Sequence, residues 1–433
     1  MGLLLTGGTV FWQGRFREMD LYMDQGRIVS VPSQAPAVVR LSRHQLIVPG
    51  FVDVHVHLRE PGFSYKETVA TGTRAAAAGG YTAVCSMPNL KPVPDSPEGL
   101  EVQLAAIRHG ARVHVHPYGA ITRGEKGEAL ADLEALAPYV AGFSDDGRGV
   151  QSESLMRQAM ERARALDLPI VAHCEDETLL AKGWAVHQGA YARAHGLVGN
   201  DPASEWRQVE RDLRLVRETG CRYHVCHVSA GKSVSLIRQA KAEGLPVTCE
   251  TAPHYLCLTD ASLEDDGRFK MNPPIRSAED REALVAGLLD GTVDCIATDH
   301  APHSAEEKAG GLRGSLNGVV GLECAFSVLY TDLVKPGTVP LETVLQALCV
   351  NPRRIFRLPG GAIEEGAPAD ITVLDLDCPH VIDPERFYSL GLATPFAAKR
   401  VDAAIAMTVC GGQVVFSQEA PPVHDAAQKG GSL

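Results

Sequence analysis

The run Leu46-Ile47-Val48-Pro49-Gly50-Phe51-Val52-Asp53-Val54-His55-Val56-His57-Leu58 decides how the rest of the chain reads. It is a short, mostly apolar strand signal broken by a Pro-Gly turn signal, with its polar residues gathered toward the end. Seven further runs follow the same pattern, namely Gly80–Asn89, Arg112–Thr122, Tyr139–Gly147, Leu168–Glu175, Arg222–Ser229, Leu245–Tyr255 and Val293–His303. Between them, segments such as Lys66–Ala78, Glu153–Ala165 and Glu279–Leu289 carry apolar residues at three- and four-residue spacing and read as helices. Strands that alternate with helices eight times predict an α/β fold, a (β/α)₈ TIM-like barrel over residues 49–359.

Outside that stretch the chain reads as β. Residues 1–48 hold LLLTGGTVFW, MDLYMDQGRIVSV and HQLIV, and residues 360–416 hold PADITVLDL, VDAAIAMTV and GGQVVF. Neither end has enough strands to close a core, so the two are expected to pair as one discontinuous β-sandwich. Residues 417–433, rich in Ala, Pro, Gln and Gly, read as a frayed tail.

Composition narrows the function. The chain has 433 residues, 45% apolar and 22% charged, an ordinary globular balance. Lys plus Arg number 41 and Asp plus Glu 53, a formal net charge of −12 that argues against coating nucleic acid. No run of about 18 apolar residues appears, so no helix is expected to span a membrane. The opening MGLLLTGGTV lacks a basic region and a cleavage site, which points to the cytoplasm. The eleven cysteines show no CxxC spacing and read as small buried hydrophobes in a reducing compartment.

In such a barrel the chemistry sits at the C-terminal strand ends. The first run ends in Asp53, His55, His57 and Arg59, two apart along one strand. The fourth ends in Asp145-Asp146-Gly147, the fifth in His173, the sixth in His227 and the eighth in Asp299. Any one histidine is as readily a satisfied core residue, but the whole set at separate strand ends is poorly explained without a function. Imidazole and carboxylate without thiolate suit zinc or another divalent first-row metal. The ligand count suggests two ions, one on His55, His57 and Asp299 and the other on His173 and His227, bridged by a fourth-strand carboxylate. A hydroxide between two such ions is available near neutral pH, and Asp299 stands to carry its proton. His109, His114, His116, His187, His195 and His224 have no matching partners and read as satisfied or solvated.

These residues resemble a known family. Asp53–Gly62 (DVHVHLREPG) is similar to the first-strand signature of the dihydroorotases, within the amidohydrolase superfamily, and Ala297–His303 (ATDHAPH) to their eighth-strand signature. Ser86–Asn89, Ala172–Glu175, His227–Ser229 and Met271–Pro274 resemble the intervening motifs in order. The resemblance implies two zinc ions per chain, held by His55, His57 and Asp299 and by His173 and His227. Larger relatives bridge the metals with a carbamylated lysine. This chain has none at the fourth strand end, Lys126 being the nearest, and resembles the bacterial branch in which an aspartate, here Asp146, bridges together with hydroxide.

The implied reaction is the reversible cyclisation of N-carbamoyl-L-aspartate to (S)-dihydroorotate with loss of water, the third step of pyrimidine synthesis. Asp299 would be the catalytic residue, and His57, Arg59, Asn89, Asn272, His303, Asn317 and Gly318 the substrate-binding set. Arg59 and its neighbours would hold the substrate carboxylate, bidentately for a guanidinium. The Gly-rich stretch Ser304–Gly318 reads as a mobile loop. A homodimer, and association with aspartate transcarbamoylase, are the partners the resemblance implies besides the small-molecule substrate. Two other readings compete, a hydantoinase or allantoinase and a non-catalytic partner of the transcarbamoylase. The second loses ground because every expected histidine is present.

Overall fold

The computed structural model describes residues 2–31, 33 and 35–418, and in them the chain is a mixed α/β fold. Each of the eight sequence runs forms a strand. They are Phe51–Val56, Tyr81–Ser86, His114–Pro117, Phe143–Ser144, Ile170–Ala172, Tyr223–Val225, Val247–Thr251 and Cys295–Ile296. The third run is split. His114–Pro117 pairs with the second strand, while a separate piece, Gly119–Ala120, pairs with the fourth. Pro117, which has no N–H to donate, stands at the break. Neighbouring strands pair in parallel from the first run to the eighth, and His300 bridges back to Val56 in parallel as well. Val52, Val54, Ala83, Cys85, Val171, Cys226 and Cys295 meet in one buried cluster, so runs far apart in the sequence share a core.

Helices fill the connections, and their starts follow side-chain caps. The helix Glu153–Ala165 has the expected bounds, with Ser152 as its cap, and Ser277 caps Ala278–Leu289, one residue earlier than expected. The first helix begins at Val69 rather than Lys66, because the Thr68 hydroxyl accepts the Thr71 amide at 3.0 Å and starts the helix there. Ser304–Gly318, read from sequence as a loop, carries two helical turns, Ala305–Lys308 and Gly311–Gly314.

The chain ends meet. Gln45–Pro49 pairs antiparallel with Ile371–Asp375, which pairs in turn with Ala404–Cys410. The full sheet has six strands, and a second sheet of four is built from residues 3–40. Leu5, Val10, Met23, Ile47, Val373 and Val409 pack in one cluster, with members from both sheets. Ser417 closes the strand Gln413–Ser417 instead of opening a tail, and residues 419–433 of the expected tail lie outside the described residues. All eleven cysteines are free, and most are buried.

Candidate active site

A register slip in the first strand aims its histidines. Asp53 pairs with Val84 but Val56 pairs with Ser86, so the first strand carries one extra residue between these points. Such a bulge bends the strand and re-aims side chains. His55 and His57 turn toward a carboxylate from the fourth strand end, Asp146. Four imidazole nitrogens surround it. His55 Nε2 lies 3.3 Å from Asp146 Oδ1, His173 Nδ1 and His227 Nε2 each 3.6 Å from the same oxygen, and His57 Nε2 3.5 Å from Oδ2. Asp299 Oδ1 stands 3.2 Å from His57 Nε2 and 3.5 Å from His55 Nε2. All six metal-ligand residues expected from sequence are therefore buried together. Asp145 faces elsewhere, accepting the Ile121 and Thr122 amides at 2.8 and 3.0 Å and the Thr122 hydroxyl. Gly147, at φ +86°, supplies the left-handed turn directly after the Asp pair.

On the first strand, the ring nitrogens turned away from this centre have their own partners. Glu250 accepts from His55 Nδ1 at 2.6 Å and Asn89 Oδ1 from His57 Nδ1 at 2.9 Å. Each bond leaves Nε2 free to face inward with its lone pair. By contrast, His55 Nε2 and Asp146 Oδ1, which face each other at the centre, are buried without a hydrogen-bond partner, while the inward nitrogens of His173 and His227 lie 2.9 Å apart. Buried polar atoms are nearly always bonded, so orphans clustered among imidazoles and carboxylates fit a site built for a cation. His55, His57 and Asp299 form one group whose donor atoms are close enough to hold a metal ion, and His55, Asp146 and His227 form another.

Electrostatics agree with the geometry. Burial works against charge on His173, yet Asp146 and Glu175 outweigh it and push its pKa up to about 10. Burial likewise opposes charge on His55, but Asp146, Glu250 and Asp299 hold its pKa well above the usual value. For Asp146 and Asp299, burial favours the neutral acid, but the surrounding imidazoles prevail and keep both carboxyls below the ordinary range. Carboxylates that hold protons on buried imidazoles would hold a metal in the protons' place. Arg59, His227 and Asp299 have φ of +59°, +33° and +49°. For side-chain-bearing residues this backbone costs about 1–3 kcal/mol each, strain that gathers at functional sites.

A cavity of about 210 Å³ opens onto this centre, lined by His57, Arg59, Asn89, Asp146, Asn272 and Asp299 among others, and by Asn317 and Gly318. Asn89 donates to Asp146 Oδ2 at 3.3 Å, so its amide engages two of the expected ligands. Asn272 donates to Glu175 at 3.1 Å and leaves its own Oδ1 buried and unpartnered. His303 stands behind Arg59, 3.4 Å from its Nη2, and bonds the Asn317 carbonyl at 2.7 Å. Burial, Arg59 and Lys66 push its pKa down to about 4, so the ring is neutral between two cations. The Gly318 amide is engaged by the Lys270 carbonyl at 3.0 Å.

Sequence reasoning missed Glu250, Glu175 and the role of Asp53. Glu250 bonds His55 and also His224 Nε2, at 3.0 Å, so His224 is a satisfied buried residue as expected. Glu175 Oε2 lies 3.5 Å from His173 Nε2. Asp53 accepts the Thr298 amide and hydroxyl, at 3.0 and 2.6 Å, and so ties the first strand to the residue before Asp299. A signal existed, since each is a carboxylate inside an apolar run, the criterion already applied to the other strand ends.

Known proteins resemble this chain over nearly its whole length. A family model described as dihydro-orotase-like matches residues 44–233. The dihydroorotase of Bacillus caldolyticus is 48% identical, across 96% of this chain and 99% of its own. That of Shouchella clausii is 47% identical, across 97% and 99%. Among solved structures, the L-hydantoinase of Arthrobacter aurescens superposes with a TM-score of 0.82 at 26% identity, covering 96% of each chain.

Proposed function

This chain belongs to the dihydroorotase family, and we propose that its imidazole–carboxylate centre holds two zinc ions that serve the interconversion of N-carbamoyl-L-aspartate and (S)-dihydroorotate. It is an enzyme, a cyclic amide hydrolase of pyrimidine biosynthesis. The observation that carries the reading is the ring of four imidazoles around Asp146 at 3.3–3.6 Å, facing a cavity with a single guanidinium, Arg59, among its lining residues.

His55, His57 and Asp299 would hold one ion and His173 and His227 the other, with Asp146 placed to serve both. Asp146 suits that place because Oδ2 faces His57 while Oδ1 faces His173 and His227. When bound, the ions make water acidic enough to attack near neutral pH and polarise the carbonyl under attack. The protein's residues supply the rest. Arg59 offers a planar fork to the substrate carboxylate, its Nε already fixed by the Pro302 carbonyl at 3.2 Å. Asn89 and His57 border that anion site, and His303 backs Arg59. The free Oδ1 of Asn272 is an acceptor for a ring N–H. Asn317 and Gly318 close the remaining wall. Asp299, ionised and 3.2 Å from His57, takes the proton of the attacking water in ring opening and delivers it to the departing nitrogen. In ring closure it removes the proton from the ureido nitrogen.

We also read the parallel pairings as a closed (β/α)₈ barrel over residues 49–359, with residues 1–48 and 360–416 as its discontinuous β-sandwich. In this reading the enzyme works in the cytoplasm, on a small molecule. Among the described residues no helix is long and apolar enough to cross a membrane. The homodimer and the transcarbamoylase association implied by resemblance remain part of the proposal.

The test pairs metal analysis of the purified chain with turnover of dihydroorotate, hydantoin and allantoin. About two zinc ions per chain and preference for dihydroorotate are expected. Preference for hydantoin, the substrate that the Arthrobacter aurescens neighbour's name points to, would reassign the ring.

A further inference from the structure

Lys308 is buried, yet none of the described carboxylates forms an ion pair with it. Its ammonium has three donors and no acceptor. All three are engaged by backbone carbonyls, Lys270 O at 3.0 Å, Leu316 O at 2.8 Å and Gly318 O at 2.7 Å. These belong to two segments that reach the cavity lining, already joined once by the Gly318 amide on the Lys270 carbonyl. Lys270 leads into Asn272, and Leu316 and Gly318 flank Asn317. The surroundings fit closely around the clamp. The Lys308 carbonyl accepts the Ser315 hydroxyl at 2.9 Å, and a Cβ on Gly267 would stand 2.1 Å from that same oxygen.

We propose that Lys308 is a positioning residue for substrate binding, clamping the Asn317–Gly318 wall to the segment that carries Asn272. This rests on the dihydroorotase reading. A buried cation without a counter-ion is a poor choice for stability alone, since an apolar side chain of similar volume avoids the desolvation cost. Burial, together with the neighbouring Lys270, pushes the Lys308 pKa down to about 7, the mark of that cost. What the ammonium provides instead is geometry, with three carbonyls from two segments held around one atom. Neither Asp299 nor any expected metal ligand touches it, so loosening the wall should weaken binding and spare the chemical step.

The test is Lys308→Met in the full-length enzyme, with KM and kcat for dihydroorotate, metal content and thermal stability all measured. A rise in KM of about tenfold, with kcat within about threefold and metal retained, is expected from the loss of binding worth one good hydrogen bond. An unchanged KM beside lowered thermal stability would make Lys308 a structural residue and overturn the inference. A collapse of kcat at unchanged KM would overturn it too. Should the Met variant not fold, Ser315→Ala removes only the hydroxyl bridge to the clamp. KM should then rise about twofold, and an unchanged KM would refute the idea. Absence of dihydroorotate turnover by the unaltered enzyme would overturn the activity reading and this inference together, whereas normal turnover with an unshifted variant KM overturns this inference alone.

Discussion

His55-Val56-His57 and His114-Val115-His116 are one pattern on two strands of the same ladder, the first and the third, with Tyr81–Ser86 between them. Their surroundings differ at every level. The first pair sits beside a bulge, is buried, and keeps inward-facing nitrogens close to Asp146 and Asp299. In the second pair, His114 has a side chain 50% exposed and its Nε2 already paired with Asp370 at 3.3 Å. The Asp370 and Cys410 bonds raise its pKa to about 10. Burial, with His114 and Arg353 nearby, lowers that of His116 to about 4. At His55 and His57, carboxylates from other strands converge on both rings of the pair, whereas Asp370 meets only His114.

The largest test of this contrast is Asp299→Asn, which keeps the side-chain shape beside His55 and His57 but removes the proposed proton carrier. The protein should fold and retain metal while turnover falls on the order of 10²–10⁴-fold, measured by dihydroorotate assay. A near-normal rate would break the assignment. Glu250→Gln weakens the grip on His55 Nδ1 without touching the cavity, and metal affinity or activity should drop about 10–100-fold in metal titration and kinetics. Asn89→Ala frees the His57 ring and one Asp146 oxygen, so kcat/KM should fall about tenfold or more.

His114→Ala lies at the small end, with kinetics unchanged and stability lowered by less than about 1 kcal/mol because the ion pair is half-exposed. The sign follows from the raised folded-state pKa. The His114 contribution is present in full below the unfolded value near 6.5 and disappears as pH climbs through about 10. Denaturant midpoints of the two proteins should therefore differ at pH 6 and converge at pH 10. A kinetic defect in this variant would erase the distinction between the two pairs.

Much of this was legible in the chain itself. Apolar runs alternating with helical periodicity identified all eight strands, since most of these runs bury themselves on both faces whatever their neighbours are. His55, His57, His173, His227 and Asp299 stood out because imidazoles and carboxylates at apolar strand ends are costly without partners. Local rules also mis-set some boundaries, as at Lys66, where one hydroxyl on Thr68 decided the helix start. Glu250 and Glu175 escaped because their role lies in bonds to residues 195 and 97 positions away, His55 and Asn272.

Residue types and their order along the strands were thus enough for the element series and the candidate donor residues, for these depend on period and polarity alone. Tertiary structure decided which of Asp145 and Asp146 faces the histidines, which His-x-His pair meets carboxylates from two other strands, and which lysine bonds the segments behind the cavity. Each of those outcomes turns on distances of about 3 Å between groups far apart in sequence, and such distances exist only once the strands are in register.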